Sequence, residues 1–212
     1  MTTNIISVKP EFGINYDNGF IGFSFTDNNF VSNGIAWFDR WKKGENSNLP
    51  DLNLSHTFIV SGKNECIEAI DTGVSLSPLS KFFDNPHTHV CFRKPIGLTS
   101  AIATRMLLDA SKILGSPYDF VLIAGHVVSD TFAGELLDEI TEGKSRDLIT
   151  WLFETKGRYI CSELCAEVLR KRPEYANKGV LAHPQYSLSP QILFQDEVIF
   201  SPWFQEIKGQ KV

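Results

Sequence analysis

Strand-forming runs come first in this chain and helical periodicity comes later, and no other feature of the sequence narrows the fold as much. Phe20–Phe25 is a short apolar run broken by Gly22, Thr57–Val60 and Cys66–Ile70 are β-prone, and His87–Phe92 reads as a further strand. Beyond them, Thr99 or Ser100 can cap a helix in which Ile102, Met106, Leu107, Ala110, Ile113 and Leu114 recur at helical spacing until Gly115 and Pro117 end it. Strands followed by helices point to an α+β fold with an antiparallel sheet.

The intervening stretches are less definite. Ile35–Trp41 can be a short helix, Lys42–Leu54 reads as a polar loop carrying Gly44 and Pro50, and Val121–Lys156 reads as one or two helices with polar breaks. With 212 residues, 42% of them hydrophobic, and neither an internal repeat nor a low-complexity linker, the expectation is a single domain spanning 1–212. Charged residues make up 21% and the net charge is -5, which gives neither a disorder signature nor a strong field for nucleic acid. Met1–Pro10 carries one lysine and no apolar run of signal-peptide length, and no later stretch approaches a membrane span. A soluble, cytoplasmic chain without stable membrane insertion is therefore expected; the sequence does not fix an oligomeric state. The four cysteines, Cys66, Cys91, Cys161 and Cys165, form no paired CxxC spacing, so free thiols are the default.

One of those thiols has a distinctive setting. Tyr159–Pro173 reads as a helix that begins near Cys161, with Glu163 at the end where the helix dipole favours an anion. Arg170, Lys171 and Arg172 crowd the other end, and Pro173 is the stop. A thiol in a first helical turn faces unpaired backbone N–H groups, which favour the thiolate and can also receive an oxyanion. The plainer reading is a small buried hydrophobe, as most free cysteines are. Cys165 lies one turn along the same face; an i, i+4 metal pair is formally possible, but core packing is the better reading.

A cysteine nucleophile needs a base. His56 opens the strand that continues to Val60, and alternation puts His56, Phe58 and Val60 on one face, while Cys66, Glu68 and Ile70 share a face of the next strand. Glu68 stands between apolar neighbours and wants a partner. The two faces coincide only if the connecting loop is odd, as with Ser61–Lys63 or Gly62–Asn64; a loop of four separates them. If they coincide, Glu68 can orient the imidazole while the other ring nitrogen faces the thiol. Otherwise His56 is a solvated strand end and Glu68 sits on a wet face. His87, His89 and Cys91 share a face on alternation, yet nothing supplies a fourth metal ligand, and a solvated edge explains them. His183 precedes Pro184 and reads as loop, and His126 reads as incidental.

Four patches together resemble a known family: Ser55–Val60, then Ile67–Ala69 with Gly73-Val74, then Gly115–Asp119, then Tyr159–Leu164. They look like the permuted papain-like amidases of the YaeF/YiiX type, relatives of the NlpC-type cell-wall peptidases. The similarity runs in patches from about Ile35 to Ile207, and its most specific part is Cys161-Ser162-Glu163-Leu164 with the preceding Tyr. The resemblance implies a papain-like sheet packed on helices, circularly permuted so that the His strand precedes the Cys helix. It implies Cys161 as nucleophile, His56 as base and Glu68 as orienting third member. It also suggests that Tyr118 lies near the site and donates to the oxyanion, unless it is a core aromatic; Ser162 is the other candidate for a substrate or oxyanion contact. The segment 120–158 is longer than a simple connection needs. It reads as a helical insertion, either core or a lid in which Trp151, Leu152 and Phe153 cover a substrate.

The expected chemistry is hydrolysis of an amide, a peptide or amino-acyl bond, through a Cys161 acyl-enzyme with no metal or organic cofactor. An alternative is a lipid ester hydrolase or acyltransferase, as in the related lecithin retinol acyltransferase group, with Phe82, Phe83 and the Trp151 region lining an apolar cleft. A binding protein of the same shape without turnover is the third.

Overall fold

The β-prone runs pair into one antiparallel sheet, so the chain is of mixed α+β class; the computed structural model describes residues 10–26, 54–117, 161–182 and 188–201. The strands are β1 (Ile21–Thr26), β2 (His56–Gly62), β3 (Glu65–Ile70), β4 (Gly73–Pro78) and β5 (Thr88–Arg93), in the order β4-β3-β2-β1-β5. After β4 the chain passes through a short helix, α1 (Ser80–Phe83), and returns to the opposite edge as β5 beside β1. His87, expected in that strand, falls in the turn before it. β4 carries no β-branched run beyond Val74, and its Ser and Pro residues are tolerated because it is an edge strand.

Both faces of the central strands are covered, which is why β2 reads as a continuous apolar run. On one face Ile21, Phe23, Ile59, Ile67 and Val74 join a core with Leu164, Val168 and Leu169. On the other, Phe58, Val60 and Cys66 pack with Tyr16, Leu79 and Phe82. Burying each large apolar side chain contributes roughly 1.5–3 kcal/mol, so these two layers hold the sheet from both sides. Gly22 stands opposite Phe58 in the register, and a Cβ there would lie 2.2 Å from the Phe58 ring. The missing side chain is what lets that ring lie flat on β1.

The helix expected after Thr99 is present as α2 (Ser100–Ser111), with the Thr99 hydroxyl accepting from Ile102 N at 3.3 Å. It ends before Ile113 and Leu114, so Leu114 lies in the following turn and is 41% exposed. Gly115 N donates to Val74 O and Val74 N to Ser116 O, both at 2.8 Å, which docks the Gly-Ser-Pro turn on the start of β4.

The cysteine helix is α3 (Cys161–Arg170), packed on β2 and β3 and against α2. Nearly all of its circumference is buried, and only Glu167 and Arg170 keep partial exposure. It stops at Arg170, short of Pro173, and an Arg172–Asp109 ion pair joins its C-terminal end to α2. A further short helix, α4 (Pro190–Phe194), is capped by Ser189. It is clasped to the sheet by Arg93, a buried guanidinium that donates to Phe194 O, to Phe200 O at 3.3 Å and to Ser201 O at 2.7 Å. Ile35–Trp41, most of the polar stretch 42–54, Tyr118, His126, the segment 120–158 with Trp151, Leu152 and Phe153, and His183 lie outside the described residues. Among the described residues no helix is long and apolar enough to cross a membrane.

Candidate active site

The hairpin between β2 and β3 decides where Glu68 points. Its tip is a two-residue turn, Lys63-Asn64, and an even connection of that kind would put His56 and Glu68 on opposite faces. A bulge intervenes: Gly62 pairs with Glu65, but Val60 pairs with Cys66 and Phe58 with Glu68. The extra residue, Ser61, shifts the register by one. His56, Phe58 and Val60 thereby share a face with Cys66 and Glu68, and His56 meets Glu68 as a diagonal cross-strand pair.

Glu68 has no exposed side-chain surface and His56 keeps 21%. The His56 Nε2 to Glu68 Oε2 distance is 2.7 Å; a carboxylate only accepts, so Nε2 carries the proton. Lys81, from α1, pairs with the other carboxylate oxygen, Oε1. Burial works to raise the Glu68 pKa, but the hydrogen bond and charge of His56, then Lys81 and Ser77, hold it down at about 2. At His56, burial opposes the charged ring, yet hydrogen bonds with Cys161 and Glu68 and attraction to both raise its pKa to about 9. With Nε2 committed to the carboxylate, Nδ1 is the ring nitrogen left for the Cys161 side chain, whose interaction with the imidazole helps to raise the His56 pKa.

Cys161 is the first residue of α3 and is 5% exposed. Its position relative to His56 is set by the next residue of β2. Thr57 points to the α3 side of the sheet, where its hydroxyl is 2.8 Å from Cys165 Sγ and donates to Cys161 O at 3.5 Å. Consecutive residues of one strand, His56 and Thr57, thus carry the imidazole and hold the helix that bears Cys161. Cys165 is buried in the core, and burial pushes its thiol above the usual range, as it does for Cys66 and for Cys91, the last up to about 12.

A wall of rings closes the outer side. Phe82 stacks on Phe58 with centroids 4.4 Å apart and flanks the His56 ring at 6.0 Å. Ser162 is taken up elsewhere: its hydroxyl is fully buried and donates to Leu188 O at 2.6 Å, so it ties α3 to the segment before α4. Tyr118, the other tentative oxyanion contact, lies outside the described residues. His89 stacks on Phe25 at 4.5 Å, Cys91 packs against the core, and His87 sits exposed in its turn. Among the described residues no group of three or more His, Cys, Asp and Glu is placed to hold a metal ion. A hollow of about 440 Å³ at the N-terminal end of α2, lined by Asp17, Asn18, Phe20, Lys94, Thr99 and Ser100 among others, includes neither Cys161 nor His56 in its walls.

Sequence reasoning missed Lys81, Thr57 and Ser77. The only signal for Lys81 was a lone cation in an apolar stretch, Leu79-Ser80-Lys81-Phe82-Phe83, of the kind that marks a charge needed on an inner face. No protein-family model matches the chain, and a search of curated proteins finds no significant match.

Proposed function

We propose that the protein is a cysteine hydrolase of permuted papain-like type that cleaves an amide, a peptide or amino-acyl bond. The observation that carries this reading is a fully buried carboxylate, Glu68, bonded to His56 Nε2 at 2.7 Å, with Cys161 on the same imidazole from the first residue of a helix. A carboxylate without solvent is costly to maintain, and orienting a base is a use that accounts for it. The order of parts, His strand before Cys helix, agrees with the resemblance to the YaeF/YiiX-type amidases.

In the proposed cycle the Cys161 thiolate, with His56 as imidazolium, attacks the carbonyl carbon and the π electrons move onto oxygen. Backbone N–H groups at the start of α3 face that oxyanion. His56 gives its Nδ1 proton to the leaving amine, the C–N bond breaks and an acyl-thioester remains. Water then attacks the thioester; His56 takes the water proton, the C–S bond breaks and the acid leaves. Glu68 keeps Nε2 protonated throughout and so holds the ring in the productive tautomer. The lipid-ester alternative draws less support, because Phe82 is buried and Phe83 is packed beside it in the aromatic layer rather than lining an open cleft.

The test is iodoacetamide labelling across pH with site mapping by mass spectrometry, followed by an amide-substrate screen. Cys161 is expected to label fastest of the four cysteines below neutral pH and to lose that advantage in His56→Ala, with hydrolysis abolished in Cys161→Ala. Labelling of Cys161 no faster than Cys66, Cys91 and Cys165 would favour a binding protein without turnover.

A further inference from the structure

Ser77 bonds the Glu68 side chain as a neutral partner, and the two carboxylate oxygens each meet a titratable one. Oε2 meets His56, on the central strand, and Oε1 meets Lys81, on the helix that crosses to the far edge of the sheet. Lys81 is 36% exposed, so its ammonium reaches inward from the surface to a carboxylate that has no exposure of its own. Its Nζ also lies 4.8 Å from the centroid of Phe82, the ring that flanks His56. A carboxylate held at both oxygens is fixed more firmly against rotation about its last side-chain bond than one held at a single oxygen, and at Oε1 the charged anchor is Lys81.

We infer that Lys81 is a positioning residue of the dyad: by gripping Glu68 Oε1 it fixes the carboxylate so that Oε2 faces His56, and its charge sets how strongly Glu68 pulls on the imidazolium. The inference rests on the reading of Cys161 and His56 as nucleophile and base. The other groups that share the electrostatics of this cluster are Cys66 and Glu65 on β3 and Cys161 and Cys165 on α3. Among Lys81, Glu68, His56 and Cys161, the lysine and the imidazolium are the two cations and the carboxylate and the thiolate the two anions. The working form of the site is neutral only with Lys81 in place. That balance suits a site with little solvent, where an uncompensated charge is costly.

The experiment compares the pH profile of Cys161 alkylation, and of hydrolysis once a substrate responds, in wild type, Lys81→Met, Lys81→Gln and Lys81→Arg. Without the cation, the uncompensated negative charge of Glu68 favours protonation of His56. The limb of the profile set by His56 is therefore expected to move to higher pH by about one unit, with rates lower by about tenfold. Lys81→Arg, which keeps the charge, is expected to bring that limb back. Lys81→Gln keeps a donor for Oε1 and serves if the Met variant does not fold. Profiles that lose amplitude with that limb unmoved, or that superpose on wild type, overturn the inference and leave the dyad intact. A wild-type Cys161 that shows no activation over the other three cysteines instead overturns the reading on which the inference rests.

Discussion

Glu68 is a buried acid whose partners, His56, Lys81 and Ser77, all stabilise its ionised form, and this makes its charge the most testable single quantity in the molecule. Glu68→Gln keeps the shape and removes the charge. In that variant the His56 imidazole, followed by NMR, is expected to titrate well below the value of about 9 that it has beside the carboxylate. Hydrolysis is expected to fall roughly 10²–10⁴-fold, the range typical for losing acid–base assistance. The same two groups govern stability against pH, with opposite signs. Glu68 has its folded pKa lowered from 4.5 to about 2, so its contribution is full above about 4.5 and disappears as pH falls toward 2. His56 has its folded pKa raised from 6.5 to about 9, so its contribution is full below about 6.5 and is lost as pH rises through 9. Denaturant titrations across pH should show the acid loss in wild type and a much weaker one in Glu68→Gln. An acid limb unchanged by that substitution would remove Glu68 from the account.

Among the elements, β2 does the most. It is the central strand, its face toward α3 anchors the cysteine helix through Thr57, and its other face carries His56 over a floor made of Phe58, Phe82 and Gly22. Gly22→Ala places a methyl group against the Phe58 ring, and the ring can give way only by pressing on Phe82 and so on the flank of His56. A loss of roughly 1–3 kcal/mol is expected by chemical denaturation, together with slower Cys161 alkylation; wild-type behaviour in both would show that the floor is soft. The strands and helices that periodicity could expose were legible: the β2–β3 hairpin, the helix behind Thr99 and the helix at Cys161. β4 was not, because Gly73–Pro78 joins the sheet by pairing along an edge rather than by propensity. Nor was the facing of His56 and Glu68 decidable, since it depends on one residue of bulge that no composition rule announces. Lys81 escaped notice because its partner lies on β3, beyond the unread strand β4, and Lys81 itself sits on a helix of four residues whose pattern is too short to read.

At the scale of the whole molecule, two covalently distant ends are held to one sheet. Arg93, near the close of β5, gathers the carbonyls of Phe194, Phe200 and Ser201, and its guanidinium lies over the Phe194 and Phe200 rings. Burial lowers its pKa to about 10, still far above neutrality, so the clasp stays charged. Arg93→Met leaves those carbonyls buried without their donor and is expected to cost roughly 3 kcal/mol or more. Limited proteolysis should then cut first near 194–201; unchanged stability and an unchanged cleavage pattern would show that α4 is held by its apolar contacts alone. The bulge at Ser61 has a different reach. Because one residue there sets which way a whole strand faces, the β2–β3 hairpin is a heritable constraint on the geometry at its opposite end. In a lineage descending from this sequence, gaining or losing one residue near Ser61 would part His56 from Glu68 without changing either of them. A gain or loss of two would leave them on one face, so lengths along that hairpin should drift in twos.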